Sequence, residues 1–512
     1  MDQDTVATDP SQGEAPWSVA RLFHRVFGRH MLNAALLVCM VAALGGALSG
    51  GSELTEDADL WWHLANVRAL CSTHHFIRME PYAFTVFGER WIDPEWLSEL
   101  PYWLAYSSLG LIGIHLVALI AFCANLLWIY FRSCSKARHK GAAFWTAVLC
   151  FFLMTVNAGA RTIVIAYLAL SAEMLILDAA ENGKTRLLWL LPPLLCLWIN
   201  LHGSWAIGLG LLALYIVCGL VPLKAGAFEQ PGFSPKERNR LLLVFLACLA
   251  ALLVNPYGWR LIWSPFDMML NQKVNIAVTQ EWRPLSMGDL TGKAAAIFIV
   301  LLILANFVRG RKWKAYELAF ILFAWYAAFA HQRFAFMACI LAAPWLAADL
   351  ARSFFHKAEE KTIPALNALF AAGAVCALIF LLPSNSDLQR NLAARYPLRS
   401  IALIQPSWRT FNDHDVGGMM DFHRKPVFVD SRDDTFEHHG VLQNFFAIES
   451  LHDPLQLLDR YRVDHALIHA NTPLSFVLER SPNWRVEMRE GAGDSAYELF
   501  AKTDSPPAGK PQ

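Results

Sequence analysis

The chain has 512 residues, of which 55% are hydrophobic and only 17% are charged, and its formal net charge is zero. Soluble domains average about a quarter charged residues, so this composition excludes an ordinary soluble protein and favours a membrane protein. The lack of a basic excess also argues against a nucleic-acid partner.

Long apolar segments recur through residues 31–383. A helix needs about 20 predominantly apolar residues to cross a hydrocarbon layer roughly 30 Å thick. We therefore expect a polytopic α-helical membrane protein with about eleven transmembrane helices, of which two shorter ones could instead be re-entrant. The predicted spans lie near 32–50, 102–131, 142–158, 162–180, 187–201, 204–223, 241–255, 294–308, 315–331, 334–350 and 363–383.

Basic residues concentrate in alternate connections between these spans. Three arginines precede the first span, and five later connections that alternation places on the same side are also basic. The positive-inside rule therefore predicts a cytoplasmic N-terminus over 1–30. Loops 51–101 and 256–293, and everything after 384, are then expected on the outer face. Residues 1–16 and the tail 505–512 are polar and are predicted to be disordered.

A small soluble α/β domain is predicted over 384–504, outside the cytoplasm. Short strand-like runs alternate there with helix-like stretches, and Gly417-Gly418 is interpreted as a turn. The strands are expected at 426–430, 463–470, 484–488 and 496–501, and the helices at 436–450 and 453–461.

The first outer loop contains the acidic segment EDADLWWHL, directly after the first span. If a helix begins at Asp57, then Asp59 and His63 lie one turn apart on the same face, and His63 could orient Asp59 by a hydrogen bond. A carboxylate can act as a base towards a hydroxyl, a role predicted for Asp59 with Asp57 as its helper. The same two carboxylates would suit Mg²⁺ or Mn²⁺. The competing interpretation is that Asp57 or Asp59 only caps a helix.

A second acidic segment, WIDPEWL, closes the same loop and supplies Glu95 as a further candidate for substrate binding. Its alternative role is simply to begin a helix after Pro94. Trp62 is a candidate for stacking on substrate, although the loop tryptophans also suit an aromatic belt at the membrane interface.

Cationic candidates for binding a phosphate lie at the ends of apolar spans. Arg333 and His331 form a polar turn between two spans, and Arg161 follows another span. Arginine forks onto phosphate oxygens, although Arg333 could also snorkel or pair helices. His202, in a polar WINLHGS turn, is a substrate-binding candidate that also suits a satisfied core histidine. Two motifs of the second outer loop, NPYGWR and QEWRP, suit either a lipid or acceptor groove or ordinary turns.

Taken together, these motifs carry a family resemblance. The chain resembles bacterial integral membrane proteins of the glycosyltransferase C (GT-C) superfamily, close to poorly characterised glycosyltransferase-like members. The motifs are DADLWWHL, WIDPEWLSELPYW, WINLHGS, VNPYG, EWRP and HQR, followed in the C-terminal domain by FNDHDVGG and PVFVDSRDD. The last two motifs are also similar to the acceptor-recognition segment of oligosaccharyltransferase, but its paired tryptophans are missing here, so peptide recognition is not carried over.

The resemblance implies a GT-C-like fold in a bacterial inner membrane and a polyprenyl-phosphate-linked sugar as donor. It also implies inverting transfer on the outer face to a glycan, lipid or protein acceptor, with the acidic motif at Asp57 and Asp59. The alternatives are a transporter or flippase for a lipid-linked glycan, a non-catalytic assembly protein, and a lipid-phosphate hydrolase or phosphotransferase.

Overall fold

The computed structural model describes residues 32–46, 57–355 and 364–503. Predictions for 1–30, for the tail 505–512 and for the arginines before the first span lie outside these residues. The membrane part is helical, as expected. Its helices are α1 (Leu32–Gly46), α2 (Ala58–Thr73), α3 (Trp96–Leu109), α4 (Leu111–Ala137), α5 (Lys140–Met154), α6 (Thr162–Glu181), α7 (Leu191–Leu201), α8 (Trp205–Leu220), α9 (Pro235–Ala251), α10 (Trp259–Asn271), α11 (Lys273–Val278), α12 (Leu290–Val308), α13 (Ala315–Ala330), α14 (Ala335–Ser353) and α15 (Pro364–Leu381).

Five helical segments in the described part of the chain are long and apolar enough to cross a membrane: Leu111–Ala137, Lys140–Asn157, Thr162–Glu181, Leu290–Val308 and Gln332–Ser353. Four shorter apolar helical segments accompany them: Leu32–Gly46, Thr185–Leu201, Trp205–Leu220 and Ala315–Ala330. The polytopic helical class is therefore confirmed, whereas the count of eleven spans stays a prediction.

Helix α14 forms the centre of the bundle and packs against α4, α5, α12 and α13. Its alanines, among them Ala335, Ala338, Ala342 and Ala347, are fully buried. Small side chains let neighbouring helices approach closely, which is how helices associate where lipid removes much of the hydrophobic driving force.

Basic side chains that the sequence assigns to one side do meet at one end of the bundle. Arg132 and Lys136 lie 2.6 and 2.9 Å from the Asp178 carboxylate, and Lys314 lies 3.0 Å from Glu181. The C-terminal domain contacts the opposite end. This separation agrees with the alternation of charge, and the sidedness itself stays a prediction.

The C-terminal domain holds one sheet of four strands in the order β3-β4-β6-β5, and a separate β1-β2 hairpin joins α8 to α9. Strand β3 is parallel to β4, and the other pairs are antiparallel. The strands are β1 (Leu223–Ala225), β2 (Phe228–Gln230), β3 (Thr410–Asn412), β4 (His465–His469), β5 (Trp484–Glu490) and β6 (Tyr497–Lys502). The strands expected at 463–470, 484–488 and 496–501 are confirmed as β4, β5 and β6.

Helices of this domain surround the sheet, and three predictions about local structure need correction here. The helices are α16 (Asn385–Arg395), α17 (Leu398–Leu403), α18 (His414–Phe422), α19 (Asp433–His438), α20 (Val441–Glu449), α21 (Pro454–Arg460) and α22 (Pro473–Arg480). The helix expected at 436–450 is divided into α19 and α20 because Gly440 adopts a positive φ of 70°.

The expected strand at 426–430 forms no ladder, because its backbone pairs with the first loop instead. Phe84 N donates to the Val427 carbonyl at 3.0 Å, and the Thr85 hydroxyl donates to the Phe428 carbonyl at 2.7 Å. Gly417 and Gly418 are not a turn, since both lie inside α18. A Cβ on Gly418 would stand 2.4 Å from the Ala58 carbonyl oxygen, so glycine is needed for close packing of α18 on α2.

A buried ion network fastens the C-terminal domain to the first loop. The Arg432 guanidinium donates to both oxygens of Glu80, at 2.6 and 3.1 Å, and to both oxygens of Asp430, at 2.8 and 2.5 Å. Asp421 lies 3.8 Å away, and all four side chains are at most 1% exposed. A planar guanidinium suits such bidentate pairing, so the two segments form one packed unit.

Removing the guanidinium should therefore separate this unit. Arg432→Met leaves three buried carboxylates without their cation, and such a loss typically costs about 3–5 kcal/mol. We expect a large drop in the thermal unfolding midpoint of the purified protein. Arg390→Met is the matched control, because Arg390 is 78% exposed and pairs with Asp387, which is itself 47% exposed, so its loss should lower the midpoint little. Equal midpoints for the two variants would contradict the proposed role of Arg432.

Candidate active site

The site is built around the first turn of α2. Asp57 caps this helix, since its Oδ1 accepts from the Asp59 backbone N at 3.2 Å, which confirms the capping interpretation for this residue. Its Oδ2 lies 3.2 Å from Arg161 Nε. Asp57 is thus a cap and an ion-pair partner at once. Burial raises its pKa above the ordinary aspartate value, and Arg161 opposes that shift.

Asp59 points to a different set of partners. Its Oδ1 accepts from Trp62 Nε1 at 3.1 Å, and the same indole nitrogen lies 3.1 Å from the hydroxyl of Ser431 in the C-terminal domain. Burial raises the pKa of Asp59, while hydrogen bonds from Ser431 and Trp62 oppose the rise. The first loop and the C-terminal domain therefore share the environment of this carboxylate.

His63 does not orient Asp59, so that prediction is wrong. Its Nδ1 pairs with Glu99 Oε1 at 2.5 Å, and its Nε2 lies 3.6 Å from Glu95 Oε2. The two residues do share a face of α2, but α3 presents two carboxylates that draw the imidazole away. Burial lowers the pKa of His63 to about 4, so the ring is neutral at pH 7.

Glu95 lies at the start of α3, as the alternative interpretation predicted. Its side chain nevertheless points towards the site. It makes no side-chain cap bond there. Its Oε1 lies 3.1 Å from His202 Nε2, and its Oε2 accepts from the Thr162 hydroxyl. His202 Nδ1 accepts from Ser204 N at 2.9 Å, so both ring nitrogens have partners, as the interpretation of a satisfied core histidine requires.

The tryptophans of the first loop are not an interfacial belt. Trp61, Trp62 and Trp91 are only 1%, 6% and 5% exposed. The Trp62 ring lies 3.7 Å from the His63 ring, centre to centre, and meets Trp91 edge to face. These side chains are held between α2 and the C-terminal domain, which gives them protein neighbours where the belt interpretation expected lipid headgroups.

Two arginines face a single carboxylate, Glu281, on the other side of the site. Arg161 pairs with Glu281, and Arg333 Nη1 lies 3.8 Å from the second Glu281 oxygen. The Arg333 guanidinium also lies 4.6 Å from the centre of the Trp282 ring. Asp57, Arg161, Glu281 and Arg333 thus form a chain of alternating charges.

The turn containing Arg333 is tied to the second loop by main-chain contacts. His331 Nδ1 lies 2.6 Å from the Trp282 carbonyl, and Gln332 N donates to the Arg283 carbonyl at 2.9 Å. These bonds hold Glu281 beside Arg333. They also occupy one nitrogen of His331, whose predicted role in substrate binding stays a prediction.

Sequence reasoning missed three residues of this site: Glu99, Glu281 and Ser431. Glu281 and Ser431 belong to motifs that the sequence did single out, EWRP and DSRDD, but without a specific role. Glu99 likewise belongs to the motif WIDPEWLSELPYW but was given no role, because a glutamate in the first turn of a helix is ordinary. Its burial at 0% is visible only in three dimensions.

A metal ion at Asp57 and Asp59 receives no direct support from the geometry. Among the described residues, no group of three or more His, Cys, Asp or Glu side chains is arranged to hold a metal ion. The Arg161 guanidinium already stands at Asp57, and Asp59 accepts from Trp62 and Ser431. Two carboxylates so engaged do not make a cation site by themselves.

Comparisons with known proteins locate the fold. No family model matches the chain, and no curated protein matches its sequence. The oligosaccharyltransferase of Archaeoglobus fulgidus in the apo form superimposes with a TM-score of 0.54 at 10% identity, over 86% of this chain and 69% of that one. The chain has the GT-C fold. The resemblance expected from the motifs is thereby confirmed at the level of architecture.

Two further structures are also similar to the chain. The Archaeoglobus fulgidus enzyme AglB in complex with an inhibitory peptide and a dolichol-phosphate gives a TM-score of 0.50 at 11% identity, over 84% of this chain and 69% of that one. ArnT from Cupriavidus metallidurans bound to undecaprenyl phosphate gives 0.48 at 12% identity, over 91% and 99%. At 11% identity, the likeness to AglB concerns the GT-C fold alone.

The double role of Asp57 can be separated by substitution. Asp57→Asn keeps an oxygen that caps α2 but removes the charge beside Arg161, whereas Asp57→Ala removes both. Losing an N-cap costs about 1 kcal/mol, so we expect Asp57→Ala to unfold at a lower temperature than Asp57→Asn. Thermal unfolding of the two purified variants in the same detergent provides the measurement. If both variants unfold at the same temperature, the cap contributes nothing to stability.

Proposed function

We propose that this chain is an inverting glycosyltransferase that moves a sugar from a polyprenyl-phosphate donor to an acceptor hydroxyl. The proposal rests mainly on one observation: Asp57, beside Asp59, pairs with Arg161, and Glu281 links Arg161 to Arg333, in a partly buried cluster next to the C-terminal domain of a GT-C fold. The Archaeoglobus enzyme of the same fold was solved with dolichol-phosphate, which supports a lipid phosphate as the ligand class here. The cluster would face the outside of a bacterial inner membrane, with the N-terminus cytoplasmic and the C-terminal domain periplasmic.

Arg161 and Arg333 are suited to receive the donor phosphate. Both guanidinium groups stand within reach of one anionic position, which the Glu281 carboxylate occupies. A phosphate oxygen that displaced Glu281 would meet two fixed cations. Cations placed where negative charge develops on the leaving group favour the transition state over the ground state.

Asp59 is suited to act as the base. Asp57 is held by its helix cap and by Arg161, whereas the hydrogen bonds that Asp59 accepts from side chains of the described residues come from the neutral donors Trp62 and Ser431. Asp59 would take the proton of the acceptor hydroxyl as that oxygen attacks the anomeric carbon. The bond from carbon to phosphate oxygen breaks on the opposite face, so the configuration inverts and the lipid phosphate departs with the bonding electrons.

The remaining site residues position these groups. Asp57 would fix Arg161, and Trp62 would fix the Asp59 carboxylate by its indole hydrogen bond. The sequence predicts that His63 is catalytic; because its two ring nitrogens face Glu99 and Glu95, we propose that it positions these carboxylates instead. Glu95 holds two histidines and Thr162, and its predicted contact with the sugar remains part of the proposal. The proposed mechanism does not require a divalent ion, and dependence on Mg²⁺ or Mn²⁺ is a variable in the assay below.

Asp59→Asn should abolish turnover while leaving donor binding intact. The amide cannot accept the acceptor proton, so we expect the rate to fall by at least 100-fold. The assay follows release of free polyprenyl phosphate by protein in nanodiscs, with a panel of polyprenyl-phosphate sugars and acceptors, with and without Mg²⁺ or Mn²⁺. Asp459→Asn, which changes an aspartate 67% exposed on the C-terminal domain, controls for loss of charge alone.

The pH profile supplies a second readout. A base works deprotonated, and burial raises the pKa of Asp59, so the rate of the wild type should fall on acidification with a midpoint above the ordinary aspartate value. Wild-type turnover that persists in Asp59→Asn would contradict the assignment of the base. Donor release without any acceptor would indicate a hydrolase, and donor binding without turnover across the whole panel would favour a flippase or an assembly protein.

Glu281→Gln should tighten the binding of a lipid phosphate. Removing the carboxylate leaves Arg161 and Arg333 without their shared anion, and a phosphate then needs to displace only a neutral amide. We expect a several-fold lower Kd for polyprenyl phosphate, measured by a change in tryptophan fluorescence or by native mass spectrometry. Arg333→Gln should weaken the same binding. A tighter Kd in both variants would contradict the placement of the phosphate between the arginines.

A further inference from the structure

Helix α10 presents an apolar face whose side chains stay largely exposed among the described residues. Five large side chains make up this face: Trp259, Trp263, Phe266, Met269 and Leu270, each 45–66% exposed. Four of them follow the spacing i, i+4, i+7 and i+11, which keeps side chains on one side of an α-helix. An apolar stripe of this size facing water would be unusual for a surface helix.

The neighbouring face of α10 is polar and contacts the C-terminal domain. Arg260, Ser264, Asp267 and Asn271 lie about a quarter turn from the apolar stripe, at 100° per residue. Asp267 accepts from Asn271 at 2.7 Å, from Gln272 at 3.1 Å and pairs with His438 Nε2 at 2.7 Å. Helix α10 is therefore strongly amphipathic.

The contact with the C-terminal domain continues into α11. Glu437, on α19, accepts from the backbone N of Val274 at 2.9 Å and from that of Asn275 at 2.8 Å. A carboxylate that binds the free N–H groups at a helix start is a stabilising arrangement. Helices α10 and α11 thus link the C-terminal domain to the surroundings of the apolar stripe.

The third face of α10 rests on the turn that carries His202. Leu261 is 2% exposed, and a Cβ on Gly203 would stand 3.7 Å from Pro265 Cβ. Phe266, from the apolar face, also meets the Trp205 ring at 6.3 Å between centres. The orientation of α10 is therefore fixed by protein contacts on two faces. Its apolar face is left pointing away from the protein.

Exposed apolar side chains also lie on the helices that precede and follow α10 and α11 in the chain. Leu242, Leu246, Leu249 and Leu253 form an exposed stripe along α9 and just beyond it, and Leu290, Ile297, Ile303 and Phe307 are exposed along α12. Helix α12 is one of the segments long and apolar enough to cross a membrane. At 13 residues, α10 is about 20 Å long, too short to cross a hydrocarbon layer of roughly 30 Å.

We propose that α10 lies in the surface of the bilayer, with its apolar face among the lipid acyl chains, and that it anchors the C-terminal domain to that surface. Tryptophan, phenylalanine, methionine and leucine on one face with charged residues on the next are typical of interfacial helices. The occupant is bulk lipid that is continuous with the lipid around α9 and α12.

Photolabelling tests this assignment. Full-length protein in nanodiscs that contain a phosphatidylcholine with a diazirine in its acyl chain is irradiated, and labelled residues are mapped by mass spectrometry. We expect label on 259–270, at a level similar to that on the exposed residues of α12, which serve as the internal positive control. Label on α12 with none on α10 would overturn the proposal. Loss of α10 label on adding polyprenyl phosphate, with α12 label unchanged, would assign the face to a prenyl chain and also overturn it.

Anchoring is tested by hydrogen exchange. Trp263→Glu with Leu270→Glu should remove the label and raise amide exchange at Val274 and Asn275 at least several-fold, because the contact with Glu437 loses its support. The strands β4 and β6 should exchange as in the wild type, which shows that the domain stays folded. Phe476→Glu, which changes an aromatic residue 45% exposed on α22, is the matched control and should leave α10 and α11 unchanged. Unchanged exchange in the double variant would overturn the anchoring role.

Discussion

The contact between Arg432 and Glu80 is the interaction on which the candidate site depends. It buries a guanidinium among three carboxylates between a loop of the membrane part and the C-terminal domain. Such a network contributes little net stability relative to an apolar contact, but it tolerates neither the loss of a partner nor a shift in register. Ser431 directly precedes Arg432 in the chain. The network therefore fixes the position of Ser431 relative to Asp59 and Trp62.

Because of this docking, residues of both the membrane part and the C-terminal domain surround the carboxylates of Asp57 and Asp59. Gly418 lets α18 approach the first turn of α2, and a side chain there would collide with the Ala58 carbonyl. The start of α2, with Asp57 and Asp59, is thus packed against the C-terminal domain directly at the residues that we propose carry the chemistry. A C-terminal domain that only presented an acceptor would not need such close backbone packing.

Much of the architecture could be predicted from hydropathy, because the apolar pattern of a segment indicates by itself whether that segment forms a membrane helix or a buried strand. The helical class, the β4, β5 and β6 strands and the neighbourhood of Asp57, Asp59, Arg161 and Arg333 all follow from local patterns. Pairing between distant segments could not be predicted. Residues 426–430 have the composition of a strand, but the Val427 carbonyl accepts a hydrogen bond from Phe84 of the first loop. His63 pairs with Glu99 and not with Asp59, because α3 lies on that side of α2.

The charges of the site also explain why Glu281 and a donor phosphate would be interchangeable. With His63 neutral, Arg161 and Arg333 face the carboxylates of Asp57 and Glu281. A polyprenyl-phosphate sugar is a phosphodiester with one negative charge, so exchanging it for Glu281 leaves the charge between the arginines unchanged. When the sugar leaves, the phosphate becomes a monoester and gains further charge. The two arginines then interact more strongly with the leaving group than with the donor, which is the condition for lowering the barrier to transfer.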